Sequence, residues 1–309
     1  MKIVFMGTPD FAVPILEGLI EKYGVALVVT QPDKKTGRHQ NLVSPPIKQL
    51  AEEKNIPVIQ PIKIREDYSR IVEEKPDIII TCAYGQIIPK ELLDLPRLGC
   101  INVHASLLPK LRGGAPIHKA IIDGYSKTGI TIMYMDEKMD NGDIIEQKSI
   151  DILDTDNLES LYEKLSKLGK ELLLEVLPSI IAGTNKRVKQ NLDEVTFAYN
   201  ISREEEKISF SKTSREIFNL IRGLSPSPGA YLIFDNKEMK ITKAEIMDKE
   251  YPHKKNGEIV EITKKGFIVK TNDKAILITE VKPFGKKKMD SSSFINGYGK
   301  EKLLGKVLE

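Results

Sequence analysis

Two residues set two positions apart open the question of chemistry. They are Asn102 and His104, in the run Cys100-Ile101-Asn102-Val103-His104-Ala105-Ser106-Leu107-Leu108-Pro109. The apolar start of this run reads as a buried strand, and Leu107-Leu108-Pro109 reads as the turn that ends it. Side chains alternate along a strand, so the amide and the imidazole point the same way. In an open α/β sheet, ligands bind outside the carboxyl ends of the strands. Either residue alone is an ordinary turn former. The pair, followed by the Gly-rich Arg112-Gly113-Gly114-Ala115-Pro116, marks a site. Asp140, in Met139-Asp140-Asn141-Gly142-Asp143, is a third candidate. Together they suit acyl transfer to an amine. The amide donates to a developing oxyanion. The imidazole does the same or manages a proton. The carboxylate orients the imidazole or takes the amine proton through water. No Ser or Cys nucleophile is set up for activation, so direct transfer is the simpler mechanism. The acids around Asp140 faintly resemble a calcium loop, but the later ligands do not follow, and no metal is expected.

The elements that must hold these residues alternate. Lys2 to Met6 reads as a buried strand, Phe11 to Tyr23 as a helix, and Val25 to Thr30 as a strand. Pro46 to Lys54 follows as a helix, Val58-Ile59 as a short strand, Arg65 to Glu74 as a helix, and Asp77 to Ala83 as a central strand. After the Asn102 stretch come a helix from Pro116 to Ile122 and two strands between Ile130 and Ile152 around the Asp140 turn. A long helix from about Asn157 to Ile181 follows. Such alternation means a parallel sheet with right-handed crossovers. After Pro226 the pattern changes to five or so short strands, which reads as a small barrel or sandwich. The expected class is α/β: a Rossmann-like open parallel sheet at residues 1–183, a connection at 184–207, and a small OB-like β-barrel at 208–309. The first strand leads into Gly7-Thr8-Pro9-Asp10 rather than G-x-G-x-x-G, which argues against a nicotinamide enzyme.

Composition sets outer bounds. The 309 residues carry 47 basic against 44 acidic side chains and are 40% hydrophobic, enough for real cores and too balanced to imply a polyanionic partner by itself. Cys82 and Cys100 lie in apolar runs and are expected to be reduced in a cytoplasmic protein. No apolar run is long enough for a membrane span. With no exposed heptad seam, a monomer is expected.

The residues carry a resemblance. Asn102-x-His104, Ser106-Leu107-Leu108-Pro109, Arg112-Gly113-Gly114-Ala115-Pro116-Ile117 and Asp140-x-Gly142-Asp143 resemble the 10-formyltetrahydrofolate-dependent formyltransferases. Phe5-Met6-Gly7-Thr8-Pro9-Asp10-Phe11-Ala12, Gln31-Pro32-Asp33 with its basic loop, and Leu224-Ser225-Pro226-x-Pro228-Gly229-Ala230 are similar to the branch acting on initiator methionyl-tRNA. The resemblance implies 10-formyltetrahydrofolate as formyl donor and Asn102, His104 and Asp140 as the catalytic set. It places the folate at Ser106, Leu107, Leu108 and Pro109 and at the main chain near Gln86, Ile87 and Ile88, with the Met139–Asp143 turn. It implies an RNA-binding role for Lys34, Lys35, Arg38 and His39 in the loop from Gln31 to Ser44. Lys282, Lys286, Lys287 and Lys288 form a second basic patch that suits phosphate. Gly114, Met139, Asn141 and Phe210 depart from common family residues without removing a catalytic group. Two rival readings keep part of this picture: a formyltransferase for a small amine, and a non-catalytic RNA-binding protein.

Overall fold

The structure is a computed structural model that describes residues 1–36 and 40–309. Its contacts divide the chain into two units: Met1–Pro116, Lys127–Asp151 and Tyr162–Tyr199 form the first, and Ile117–Ser126, Ile152–Leu161 and Asn200–Glu309 the second.

The first unit is built on a seven-stranded sheet. Its strands are β1 (Ile3–Gly7), β2 (Leu27–Val29), β5 (Val58–Ile59), β6 (Ile78–Cys82), β7 (Cys100–His104), β8 (Lys127–Tyr134) and β9 (Ile144–Asp151), while β3 (Lys34–Thr36) and β4 (Asn41–Val43) form a separate hairpin. The order is β5-β2-β1-β6-β7-β8-β9. The first five are parallel, as β-α alternation requires; β8 runs antiparallel to β7, and β9 antiparallel to β8, so β8 alone opposes the rest. Strands β1 and β6 are buried along their whole length, which is why they read as unbroken apolar runs. The chain moves outward from β1 to β5 and then returns to β6, so the order reverses between β1 and β6. Ligands gather at the carboxyl ends beside such a reversal, and β7 ends there with His104.

Helices α1 (Val13–Tyr23), α2 (Pro46–Glu53), α3 (Ser69–Glu74) and α4 (Lys90–Leu93) lie in the connections between the parallel strands of the first unit. Helix α5 (Pro116–Ile122) falls, after Pro116, in the second unit, and α6 (Leu158–Ala182) belongs to the first from Tyr162 onward. Helix α6 reaches the back of the site strand because Gly169 has no side chain. A Cβ there would lie 3.1 Å from Val103 Cγ1 and 3.2 Å from Ile15 Cδ1. Val103 thus faces α6, while Asn102 and His104 take the opposite side of β7.

Some elements differ from expectation. The helix expected from Arg65 starts only at Ser69, because 64–66 form a turn. The loop from Gln31 to Ser44 contains the β3–β4 hairpin. Asp33 anchors its base: the carboxylate accepts from Lys48 Nζ at 2.9 Å, Gln60 Nε2 at 2.6 Å and Ser44 Oγ at 3.1 Å. The segment 184–207 is more than a tether, since Val188 pairs with Ile144 and Phe197 with Arg112.

From Asn200 onward the second unit contains α7 (Ser214–Gly223), started by a capping box between Thr213 and Glu216. Strands β10 (Ala230–Phe234), β11 (Lys237–Met247), β12 (Ile259–Ile262), β13 (Phe267–Lys270), β14 (Ala275–Pro283) and β15 (Met289–Asp290) follow, then α8 (Ser291–Tyr298) and α9 (Lys300–Leu303). The strands are antiparallel in the order β10-β11-β14-β13-β12, with β15 on β14. Residues 305–309 bond to both ends of that order: Gly305 N–H to Ile259 O at 2.8 Å, and Glu309 N–H to Ile233 O at 3.4 Å. The sheet is thereby closed around a core that includes Leu232, Ile241, Phe267, Val269, Ile276 and Ile278. Among the described residues, no helix is long and apolar enough to cross a membrane.

Candidate active site

Asn102 and His104 stand at the end of β7, and the structure brings Asp140 to them. Asp140 Oδ1 lies 3.5 Å from Asn102 Nδ2 and 3.6 Å from His104 Nδ1. A carboxylate only accepts, so the amide nitrogen of Asn102 must be the atom on that side. The amide oxygen accordingly faces Thr81, whose hydroxyl donates to it at 2.9 Å. Asn102 is half-buried and its N–H groups face the site.

His104 is 6% exposed. Its Nε2 lies 3.0 Å from the carbonyl oxygen of Leu111. A carbonyl cannot donate, so Nε2 carries a proton and Nδ1 is the atom left for chemistry. With Nδ1 unprotonated, its lone pair and the Asp140 carboxylate are two acceptors face to face. A proton or a substrate N–H is needed between them. Leu111 presents its carbonyl from a left-handed backbone conformation, φ 60. Thr196 holds it there by accepting Leu111 N–H on its hydroxyl at 2.9 Å.

The other oxygen of Asp140 accepts from Gly113 N–H at 2.8 Å. Gly113 sits at φ 122, and a Cβ there would lie 2.7 Å from the Ala198 carbonyl. No other residue fits without displacing the 196–198 segment. The neighbouring acids turn elsewhere. Asp136 accepts from Asn141 Nδ2 at 2.7 Å, and Asp143 from Arg187 Nε at 3.2 Å. Among the described residues, no group of three or more His, Cys, Asp or Glu side chains is placed to hold a metal.

The Ser106-Leu107-Leu108-Pro109 loop leaves β7 directly. Ser106 is fully buried and its hydroxyl donates to Lys110 O at 2.7 Å. Thr131 Oγ1 donates to Ser106 O at 2.6 Å and accepts from Leu108 N–H at 3.1 Å, and Gln147 Nε2 donates to Leu108 O at 2.8 Å. Leu108 is buried, and Leu107 and Pro109 are partly exposed. This loop is a rigid wall, with Leu107, Pro109 and main chain as its available surface.

Gln86 directs its side chain inward: Oε1 accepts Ile64 N–H at 2.8 Å, and Nε2 faces Pro61 O at 3.3 Å and Ile62 O at 3.2 Å. Among the described residues, the main-chain groups of Ile87 and Ile88 have no protein partner. Ile87 is exposed and Ile88 buried. Lys34 and Lys35 lie exposed on β3. Arg38 and His39 fall outside the described residues. Lys282 ends on β14 opposite Lys240, and Lys286, Lys287 and Lys288 occupy the exposed turn between β14 and β15 of the second unit. Lys288 meets Glu280 at 3.2 Å.

Inspection of the sequence missed several residues. Thr81, Thr131, Gln147, Gln190 and Thr196 all hold the site's loops, yet each is a common polar type in an unremarkable setting. Only the Arg112-Gly113-Gly114 run gave a signal.

A strand-tip amide, imidazole and carboxylate on this topology have known counterparts. The chain matches the formyl transferase family over residues 1–177 and the formyl transferase C-terminal domain over residues 200–299, and it belongs to that family. Its relatives include the methionyl-tRNA formyltransferase of Macrococcus caseolyticus, 51% identical with 98% of this chain and 97% of that protein covered. That of Geobacillus sp. is also 51% identical, covering 100% of this chain and 98% of the relative. A crystal structure of WlaRD, a sugar 3N-formyl transferase in the presence of dTDP and 5-N-formyl-THF, is similar in fold, with a TM-score of 0.69 at 24% identity over 93% of this chain and 99% of that one.

Proposed function

We propose that this chain transfers the formyl group of 10-formyltetrahydrofolate to the free α-amino group of initiator methionyl-tRNA, giving N-formylmethionyl-tRNA. The observation that carries the reading is the placement of one Asp140 oxygen 3.5 Å from Asn102 Nδ2 and 3.6 Å from His104 Nδ1 at a strand tip. The chain around it is half identical, over nearly its whole length, to methionyl-tRNA formyltransferases.

The residues divide the work as their atoms allow. As the amine attacks the formyl carbon, negative charge grows on the formyl oxygen. Asn102 Nδ2–H is the donor aimed into the site, and such a donor acts mainly on that charge. The attacking nitrogen gains a bond and must lose a proton. The acceptor pair His104 Nδ1 and Asp140 Oδ1 is where that proton goes. The leaving nitrogen of the donor needs a proton in turn, and protonated Nδ1 is the group that can return it. Leu111 and Gly113 hold ring and carboxylate in place throughout.

The unpartnered main chain of Ile87 and Ile88 suits a heterocycle read by backbone groups, as a pterin is. Ser106 to Pro109 would form the adjoining wall. Lys34, Lys35, Arg38 and His39, and Lys282 with Lys286 to Lys288, supply the charge an RNA acceptor needs. On this reading residues 1–183 carry the chemistry, 208–309 carry tRNA contacts, and 184–207 lie between. The protein acts as a monomer in the cytoplasm.

The test is direct. Purified protein given 10-formyltetrahydrofolate and charged initiator tRNA should release tetrahydrofolate and yield formylmethionyl-tRNA. Transfer to an amino-sugar nucleotide or another small amine, with none to charged tRNA, would overturn the choice of acceptor. Retained tRNA binding without any folate binding would overturn the enzyme reading.

A further inference from the structure

We propose that Gln190 is a positioning residue for formyl transfer: its side chain joins the loop that orients His104 to the turn that presents Asp140. The inference rests on the function proposed above and adds a residue to it.

Gln190 lies in the polar stretch after α6 and is 9% exposed. Its amide oxygen accepts two N–H groups of Arg112, from Nε at 3.2 Å and Nη2 at 2.7 Å. Its amide nitrogen donates to Asp140 O at 2.8 Å and Gly142 O at 2.9 Å. Both N–H groups and both acceptor directions of one side chain are thus used. Arg112 sits between Leu111, which binds His104, and Gly113, which binds Asp140. Asp140 and Gly142 are the turn itself. One buried amide therefore ties together the two backbone segments whose separation sets the distance from ring to carboxylate.

The turn needs such a tie. Asp140 holds a left-handed conformation, φ 49, which costs a non-glycine residue energy. Gly142 packs so closely that a Cβ would lie 2.0 Å from Tyr134 O. Arg112 is also buried, 6% exposed, and its remaining side-chain bond is Nη1 to Asn141 Oδ1 at 3.0 Å. Among the described residues it forms no ion pair with a carboxylate. Its charge is held by the amides of Gln190 and of Asn141 on the turn, and a buried charge with neutral partners is costly to disturb.

The chemistry of the contact makes the amide specific. A carboxylate at 190 would keep both bonds to Arg112 but set an acceptor against two carbonyl oxygens. A thioether of the same length would keep the packing and lose every bond. Gln190→Glu and Gln190→Met should each lower kcat about 10²-fold, the scale of a misplacement near 1 Å. The KM for charged tRNA should change little. The thermal midpoint should fall, more in Gln190→Met, which strips the buried Arg112 of two bonds. The kcat is therefore compared per folded protein at a temperature where both variants are folded. The ¹⁵N resonance of His104 Nδ1, read without substrate, should move in both. Unchanged kcat, or an unmoved ring resonance in a folded variant, would overturn the proposal. So would a fall in kcat that only tracks a loss of folded protein. If Gln190→Met does not fold, Gln190→Glu carries the comparison. Should the parent protein transfer no formyl group, the assigned function fails, and the ring resonance alone still decides the geometric claim.

Discussion

The tip of β7 and the lysine turn between β14 and β15 are organised in opposite ways. At the tip, the atoms of each functional side chain that face away from the site are tied down: Asn102 to Thr81, His104 to Leu111, Asp140 to Gly113. In the turn, Lys286 and Lys287 are exposed and, among the described residues, meet no carboxylate, and only Lys288 has one, in Glu280. The difference fits the roles proposed for the two regions. Stabilising a charge that exists only in a transition state needs dipoles fixed in advance. Holding a phosphate backbone needs charge and reach, with little demand on geometry. The β3–β4 hairpin combines both: Lys34 and Lys35 are exposed at the surface, while Asp33 fixes the base.

That contrast can be broken most severely at Asp140. Asp140→Ala removes the acceptor of Gly113 N–H and the carboxylate opposite His104 together. The rate of transfer should fall about 10²–10⁴-fold, the range for a lost proton-transfer group, and Asp140→Asn, which still accepts from Gly113, should separate positioning from charge. Gly113→Ala comes next. Its Cβ would meet the Ala198 carbonyl at 2.7 Å from a backbone at φ 122. Thermal or denaturant unfolding should show a loss of about 1–3 kcal/mol, with a lower kcat because Asp140 loses its anchor.

In the lysine turn the signature should invert. Lys286→Ala with Lys287→Ala should raise the KM for tRNA rather than lower kcat. The slope of log affinity against log salt should become shallower by roughly 0.7–0.9 for each phosphate that is no longer neutralised. An effect confined to kcat would erase the contrast. The smallest effect is expected at Asp33. Its carboxyl is held below the usual range by the Gln60 N–H donor, then by Lys48 and Ser44. A group lowered in the folded state contributes stability that is present above its ordinary pKa and lost as pH falls through the lowered value. Amide protection, corrected for the intrinsic exchange rate, should therefore fall over Lys34–Thr36 and Asn41–Val43 in acid, and Asp33→Asn should already show it at neutral pH.

The legible parts of the sequence were those whose signal is local. Asn102 and His104 announce themselves through period-two spacing at the end of an apolar run. The long α6 was readable from Leu158, Leu161, Leu165, Leu168 and Leu172. Strands β8 and β9 were visible as two strands folded back around the Asp140-Asn141-Gly142-Asp143 turn, but the antiparallel pairing of β8 with β7 shows only in the register. Helices α8 and α9 lay hidden, because Ser291-Ser292-Ser293 and Gly297 have weak helical preference and packing of Phe294 and Ile295 decides there. Gln190 was illegible for a different reason. Its partners Arg112 and Asp140 are 78 and 50 positions away, and a polar residue among Lys189, Asn191 and Asp193 looks like solvated loop until the fold closes over it.

The central claim is that an amide and an imidazole at one strand tip act on the formyl group as it is transferred. Single-turnover transfer to charged tRNA, with donor and tRNA both saturating, isolates that step from binding. Asn102→Ala and His104→Ala should each slow it by about 10²–10³-fold. Transfer at the parental rate in both variants would contradict the account.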